Sequence, residues 1–171
     1  MPNDEVAQAF HAISADLDYP MVIVTTAVTT AEGTERAGCL VGFMSQCSIK
    51  PPLLMVWMSK RNRTTRVAEG ASSLLVHFPS NDERALTMLF GSETGDEVDK
   101  FARCRWEPGP EGLPLLAGCT RWMAGHILER LDAGDHVGHL LDLFEAAAGA
   151  GAWSGHLGFQ SVKDLDPGHE P

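Results

Sequence analysis

The sequence predicts a mainly β protein, a mostly antiparallel barrel with peripheral helices. Six or seven segments of the 171-residue chain have the composition of strands, and only two or three have helical periodicity. The two kinds of segment do not alternate regularly, which argues against a doubly wound parallel sheet. The length suits one domain, and we expect this domain at residues 1–149, followed by a C-terminal tail at 150–171.

Six segments are predicted strands because β-branched and apolar residues dominate them. They are residues 20–28, 36–43, 53–58, 73–78, 119–131 and 136–146. The last two flank a turn at 132–135, which predicts a hairpin of two long strands. Three helices are predicted, at 4–17, 62–70 and 81–90. The first would cover the barrel with its apolar face, and the third would begin at Asn81 as N-cap and close at Gly91.

The remaining segments predict little regular structure. Residues 91–116 are acidic and rich in Gly and Pro, which favours a loop with at most short helical turns. Past Gly149 the chain is glycine-rich, and we expect it to be extended. Long loops of this kind often carry function.

Composition excludes several classes of partner. The formal net charge of −10 opposes binding to nucleic acid or an anionic membrane. No apolar run approaches the roughly 20 residues that cross a bilayer, and the N-terminus is acidic, so a cytoplasmic protein is expected. The cysteines at 39, 47, 104 and 119 form no CxxC pair and indicate buried reduced thiols. His136 and His139 are three apart on a predicted strand and would face opposite sides, so no metal site is expected.

Residues 38–52 have features suited to a flat ring. Glycines allow close approach of the backbone to a ligand, and the side chains of Ser45, Gln46 and Ser48 offer polar groups to the edge of a heterocycle. A diproline fixes the exit of the segment. The alternative is a strand that ends in an ordinary serine-containing loop, and the segment alone favours that alternative.

Residues 60–66 supply a different chemistry, because they hold four of the 13 Lys and Arg residues of an acidic chain. At the start of a short helix, backbone amides and the two threonine hydroxyls could donate to a phosphate, and Lys60 or Arg63 could neutralise it. The alternative is a solvent-exposed run whose charges balance nearby acids such as Glu69.

His136 lies beside Asp135 at the predicted hairpin turn, where its ring could project into a cleft. A plain surface histidine is the alternative. Five large apolar side chains are predicted to be core or subunit-contact residues rather than residues that stack on a cofactor. They are Phe43, Met44, Met55, Trp57 and Met58.

Six short motifs occur in an order that resembles the flavin reductase-like, FMN-binding split-barrel family. They are Tyr19–Thr26, Gly38–Pro52, Lys60–Thr64, Lys100–Ala102, Pro114–Leu116 and Ala133–His136. The likeness runs from about Phe10 to Ala146. It implies a homodimer of Greek-key split β-barrels with FMN or FAD near the subunit interface. It also implies reduction by NADH or NADPH and a flavin-dependent monooxygenase as partner.

By position, the resemblance implies a set of cofactor-binding residues. Those implied at the isoalloxazine ring are Leu40, Val41, Gly42, Ser45, Gln46, Cys47, Ser48, Pro51 and Pro52. Those implied at the phosphate are Lys60, Asn62, Arg63 and Thr64, and those that would close the pocket are Lys100, Phe101 and Ala102. His136 matches the Gly-Asp-His turn of the family, so it is the implied catalytic residue, positioning the nicotinamide against the flavin.

The predicted function is therefore NAD(P)H:flavin reductase, with hydride transfer between two rings that the protein holds face to face. One alternative is an FMN- or deazaflavin-binding electron-transfer or storage protein without nicotinamide turnover. Another is a dimeric scaffold that has lost the cofactor, against which the basic residues 60–66 argue. Departures at Cys39, Val41, Gly42 and Leu141 leave the flavin and the hydride donor open.

Overall fold

The computed structural model describes residues 4–151 and 153–168, and in them the chain is mainly β. Seven antiparallel strands of the described chain form one sheet, and a two-stranded sheet lies beside it. The large sheet contains β1 (Val22–Thr30), β2 (Gly33–Val41), β3 (Phe43–Ser48), β4 (Leu53–Ser59), β5 (Ser73–His77), β8 (Arg121–Ala133) and β9 (His136–Ala148). The small sheet contains β6 (Trp106–Pro108) and β7 (Pro114–Leu116). The helices are α1 (Asp4–Asp16), α2 (Arg63–Ala68) and α3 (Arg84–Ser92).

The large sheet rolls into a barrel. Its strand order is β2-β1-β5-β8-β9-β4-β3, so β2 and β3 are the two edges, yet Gly42 alone separates them in the chain. The edges must therefore meet, and the Cys39 sulfur on β2 lies 3.9 Å from the Met58 sulfur on β4. Strands distant in sequence are neighbours in the sheet, as in a Greek key. The predicted mainly β, split-barrel fold is confirmed.

Strand β1 is buried on both faces and separates two cores. Val22 and Val24 pack inside the barrel. Ile23 points the other way and packs with Phe90 of α3 and Leu116 of β7. This double burial explains the continuous apolar run in β1, and it fixes α3 and the small sheet against the outside of the barrel.

Helix α3 differs from the prediction at both ends. It begins after Glu83 rather than Asn81, and the Glu83 carboxylate accepts a hydrogen bond from the Ser80 amide at 2.9 Å instead of capping the helix. It continues through Gly91 to Ser92. A Cβ at Gly91 would lie 2.8 Å from the Leu40 side chain, so this glycine permits close packing on β2 and does not terminate the helix.

The predicted loop at 91–116 contains β6 and β7, which the sequence analysis missed. Each has three residues, too few to produce a recognisable alternation, and prolines occupy one end of each. They are ordered because Trp106 and Leu116 pack against the core outside the barrel. A short 3-10 helix at Lys100–Ala102 is consistent with the predicted helical turns.

Helix α1 forms as predicted, but it does not cover the barrel. None of its described side chains is buried, and Val6, Phe10 and Ile13 are each more than 60% exposed. The prediction of a covering helix is therefore wrong for the single chain. The apolar face of α1 is left open to solvent in the monomer.

The segment after Gly149 is not simply extended. Residues 153–168 fold back onto the barrel, with a bridge between Pro20 and Gly158 and a 3-10 helix at Phe159–Ser161. Leu157 is only 4% exposed. Burial of apolar side chains therefore fixes this segment on the barrel. The glycine-rich composition of the segment did not indicate this burial.

The four cysteines are free thiols, as predicted. Cys39 and Cys119 are buried and Cys104 is half-buried, but Cys47 is exposed on β3, so the prediction of burial is wrong there. In residues 4–151 and 153–168 no helix has the length and apolar character that spanning a membrane requires.

Two buried histidines are held neutral by their surroundings. His77 Nδ1 donates to the Ile23 carbonyl at 3.0 Å and its Nε2 accepts from the Leu116 amide at 3.1 Å, so this ring joins β5, β1 and β7. Burial lowers the pKa of His77 to about 4. Burial also lowers the pKa of His139 to about 4, and the charge of Arg130 acts in the same direction.

These pKa values predict loss of stability in mild acid. As pH falls from 6.5 towards 4, the unfolded chain binds protons that the folded chain excludes, so the free energy of unfolding should fall. Each histidine can change the free energy of unfolding by at most about 1.4 kcal/mol per pH unit. Urea unfolding across this pH window measures the slope. His77→Asn and His139→Asn should each flatten this slope. An unchanged slope in both buried variants would contradict the assignment.

Candidate functional site

Two adjoining cavities open beside strand β2. The α2 cavity has a volume of about 620 Å³, and the residues that matter in its lining are Gly38, Arg63, Thr64, Lys100, Phe101 and Ala102. The His136 cavity has a volume of about 440 Å³, and its lining includes Tyr19, Leu40, Gly42, Phe43, His136 and Phe159. The first cavity reaches β2 up to residue 38 and the second from residue 39 onwards, so they meet along this strand. Both volumes fall in the range of small-molecule sites.

Aromatic rings form a row along the His136 cavity. The Phe159 and Tyr19 rings stack at 4.6 Å between centroids, Tyr19 and Phe43 lie 6.1 Å apart, and Phe43 and His136 lie 5.1 Å apart. Phe43 is half exposed. Such surfaces, together with the apolar Leu40 and Val41, are suited to stacking with a planar ring.

The glycines of residues 38–52 make room for the protein's own aromatic rings. A Cβ at Gly38 would lie 2.7 Å from the Phe90 ring, and one at Gly42 would lie 2.7 Å from the Tyr19 ring. From the sequence, these glycines were predicted to let the backbone contact a ligand. Their observed effect is indirect, because they set the positions of the rings that line the site.

His136 is fixed at the first position of β9. The turn before it contains Gly134 at φ +64°, and the His136 backbone pairs with Ser59 of β4. His136 Nδ1 donates to Asp135 Oδ1 at 2.5 Å, and this hydrogen bond, assisted by the imidazole charge, lowers the pKa of the Asp135 carboxyl. The carboxylate therefore orients the ring, as a histidine partner commonly does. The side chain is 23% exposed and lines the His136 cavity.

Lys100 brings a buried cation to the α2 cavity. The residue is 4% exposed, and its ammonium group donates to the Gly38 carbonyl at 3.1 Å and the Phe90 carbonyl at 3.2 Å. Burial lowers the pKa of Lys100, while Cys39 and Glu93 act in the opposite direction. An ammonium group has three donors, so two carbonyls leave one for a ligand.

Three cations of the 60–66 segment are paired with acids, although not with Glu69. Lys60 contacts Asp132 at 2.6 Å. Arg66 contacts Asp96 at 2.6 Å. These pairs partly support the alternative interpretation, in which residues 60–66 are a surface segment whose charges are balanced by nearby acids.

Arg63 and Thr64 are the members of this segment that line the α2 cavity. Arg63 contacts Glu35 at 2.7 Å and also donates to the Arg36 carbonyl at 3.2 Å. Such exposed ion pairs contribute about 1 kcal/mol or less, so an incoming phosphate can replace the carboxylate. The Thr65 hydroxyl is committed to the Ser59 carbonyl at 2.6 Å and does not serve as the predicted phosphate donor.

The remaining sequence-predicted residues divide between the cavities and the surface. Val41 and Asn62 line the His136 cavity. The predicted residues outside both cavities are Ser45, Gln46, Cys47, Ser48, Pro51, Pro52 and Lys60. Most of them belong to the exposed edge strand β3 and the turn after it, and their role in cofactor binding stays a prediction.

Several lining residues were missed by the sequence analysis. Arg36 and Trp106 line the α2 cavity, with the Arg36 guanidinium 4.6 Å above the Trp106 ring, and the buried Arg36 Nε lacks a hydrogen-bond partner among the described residues. Phe43, assigned to the core or a subunit contact, and Phe159, in the predicted tail, line the His136 cavity. Aromatic residues in the otherwise glycine-rich tail could have indicated that the tail packs on the barrel and contributes to the site. Among the described residues no cluster of three His, Cys, Asp or Glu could hold a metal.

Known proteins resemble this chain in sequence and fold. The family described as "Flavin reductase like domain" matches residues 14–151. The stachydrine N-demethylase reductase subunit of Rhizobium meliloti is 29% identical over 116 residues, which are 66% of this chain and 49% of that protein. The 4-hydroxyphenylacetate 3-monooxygenase reductase component of Salmonella typhimurium is 28% identical over 145 residues, covering 82% of this chain and 81% of that protein.

A solved structure supports the fold assignment. The crystal structure of the flavin reductase HpaC complexed with NADP+ superposes with a TM-score of 0.73 at 19% identity, over 91% of this chain and 99% of that one. Among the first of the curated relatives, the shares of their length that the chain spans are 49%, 36% and 58%. The family match covers residues 14–151, well over half of the chain, and establishes that this chain belongs to the flavin reductase-like family.

Proposed function

We propose that this protein is an NAD(P)H:flavin reductase that binds FMN or FAD across the two cavities and reduces it with NADH or NADPH. The observation that carries the proposal is the junction along β2, where an aromatic cavity meets a cavity that holds Arg63 and Lys100. A flavin has the same two parts, a planar tricycle and an anionic phosphate. The bound flavin supplies the hydride acceptor, and the protein supplies position and electrostatics.

The ring end of the site suits the tricycle because its walls are apolar and flat. Leu40, Val41 and Gly42 would lie along the ring, with Tyr19 and Phe43 at its side. Closing such a cavity excludes water and holds two rings at reacting distance, which is the main contribution that a protein without an acid-base step can make.

The phosphate end suits an anion because three groups there carry unused or exchangeable donors. Lys100 has one donor beyond its two carbonyl partners, Arg63 can exchange Glu35 for a phosphate, and Arg36 Nε is buried without a partner among the described residues. Phe101 and Ala102 would close this end, with their amides fixed by the Asp99 carboxylate at 3.0 and 3.3 Å. Charge-assisted donors to phosphate are the strong ones.

The partner and assembly follow from the same family. We propose a cytoplasmic homodimer that delivers reduced flavin to a monooxygenase, a role consistent with the names of the reductase components that it resembles. Free thiols fit a reducing compartment. The open apolar face of α1, with Phe10 and Ile13, would be buried in the dimer.

Turnover and binding can be tested together. Oxidation of NADH and of NADPH by the protein is followed with FMN, FAD or no flavin added, and flavin binding is followed by fluorescence quenching. Flavin-dependent oxidation is the expected result. Flavin binding without oxidation would favour the electron-transfer alternative, and absence of any flavin binding would favour a scaffold.

Arg63→Gln should weaken FMN binding about tenfold, because it removes one charge-assisted contact with the phosphate. Binding of riboflavin, which lacks the phosphate, should not change. Arg105→Gln, which removes one exposed cation outside both cavities, is the matched control. Equal weakening of FMN and riboflavin would contradict the phosphate assignment, because it would indicate a general structural effect.

His136→Ala should lower kcat/KM for the reduced nicotinamide about tenfold, since misplacement of the reacting rings is costly, while leaving the flavin dissociation constant within about twofold. His126→Ala is the matched control, because His126 also binds a carboxylate, that of Glu111 at 2.7 Å, but lines neither cavity. Unchanged steady-state kinetics in His136→Ala would remove this residue from the reaction.

Light scattering coupled to size-exclusion chromatography should give twice the mass of one chain. Phe10→Glu places a charge on the apolar face of α1 and should shift the protein to monomers, because burying an unpaired charge in an interface is unfavourable. Gln8→Glu, on the same exposed helix, should remain dimeric. A monomeric wild-type protein would contradict the proposal.

A further inference from the structure

The last part of the described chain crosses the barrel as a strap of residues 156–168, called here the C-terminal strap. It is anchored first at Leu157, whose side chain is 4% exposed. The Leu157 carbonyl accepts from the Met21 amide at 2.8 Å, and the Leu157 amide donates to the Pro79 carbonyl at 3.1 Å. These bonds tie the strap to the start of β1 and the end of β5.

A second anchor involves Gln160. Its side-chain amide donates to the carbonyls of Ala15 at 2.7 Å and Leu17 at 2.9 Å, at the end of α1. Its backbone amide donates to Asp18 Oδ1 at 2.9 Å. The strap is thus bound through specific polar contacts as well as through apolar burial.

The far end of the strap lies at the end of α3. A Cβ at Gly168 would lie 2.8 Å from the backbone of Glu93 and Thr94, so the chain approaches α3 closely there. Between its two ends the strap passes along the His136 cavity. The strap residues that line this cavity are Phe159, Val162, Lys163, Leu165, Pro167 and Gly168.

Lys163 is the only lysine or arginine among the described residues that line the His136 cavity. It is exposed, and within residues 4–151 and 153–168 it forms no ion pair. The cavity has one acidic lining residue, Glu93, at the α3 end. An ammonium group on a flexible stem at the mouth of an apolar cavity is suited to a phosphate whose attached ring enters the cavity.

We propose that the C-terminal strap is the binding wall for the hydride donor, with Lys163 contacting a phosphate of the nicotinamide dinucleotide and Val162 and Leu165 covering its ring. This inference rests on the proposed function. The family match covers residues 14–151, and the segments assigned to the flavin lie within it, whereas the strap lies outside the matched range. The strap is therefore suited to recognise the second substrate.

Lys163→Gln tests the inference by direct binding. NADH and NADPH are titrated by their own fluorescence, with and without FMN, and FMN is titrated separately. The variant should bind at least one reduced dinucleotide about three- to tenfold more weakly, with a smaller salt dependence, and FMN affinity should not change. Binding of 1-benzyl-1,4-dihydronicotinamide, a donor without phosphate, should also not change. Arg105→Gln is the control for loss of one positive charge.

The outcomes separate this inference from the proposed function. Unchanged dinucleotide affinity in Lys163→Gln would overturn the role of the strap even if the wild-type protein reduces flavin. A wild-type protein that binds dinucleotide through Lys163 but does not reduce flavin would overturn the proposed function alone.

Discussion

The structure depends on one constraint of connectivity, the continuity of β2 and β3 through Gly42. These strands are the two edges of the sheet, so a single glycine between them forces the sheet to close on itself. Closure brings β2 against β4 and buries the barrel core, with Cys39 against Met58. The same junction places Tyr19, Phe43 and His136 around one opening. The site therefore forms only when the barrel closes.

The α2 cavity depends on a buried cation. Lys100 binds carbonyls of β2 and α3 and thereby holds the helix against the strand that both cavities share. A buried ammonium without a carboxylate partner is costly, which its lowered pKa reflects. An anionic ligand beside it would relieve part of that cost.

Three exposed or half-exposed cations of the 60–66 segment each have an acidic partner. Lys60, Arg63 and Arg66 contact Asp132, Glu35 and Asp96, so the basic segment carries little net field into solvent. In a chain of net charge −10, such pairing holds these cations in place on the surface. The C-terminal strap differs, since Lys163 has no such partner among the described residues.

Local sequence determined β1, β2, β4, β5 and the β8–β9 hairpin, because alternation, β-branched composition and a glycine turn act over a few neighbouring residues. It did not predict β3, β6 or β7 as strands. It also indicated Arg63, Thr64 and His136, the family resemblance added Lys100, and the roles of these residues stay predictions. Only the tertiary structure decided which of these meet, since the two cavities combine β2 with segments far apart in the chain. It also decided that α1 is uncovered while Phe159 lines the site. Burial depends on long-range packing, which no local pattern encodes.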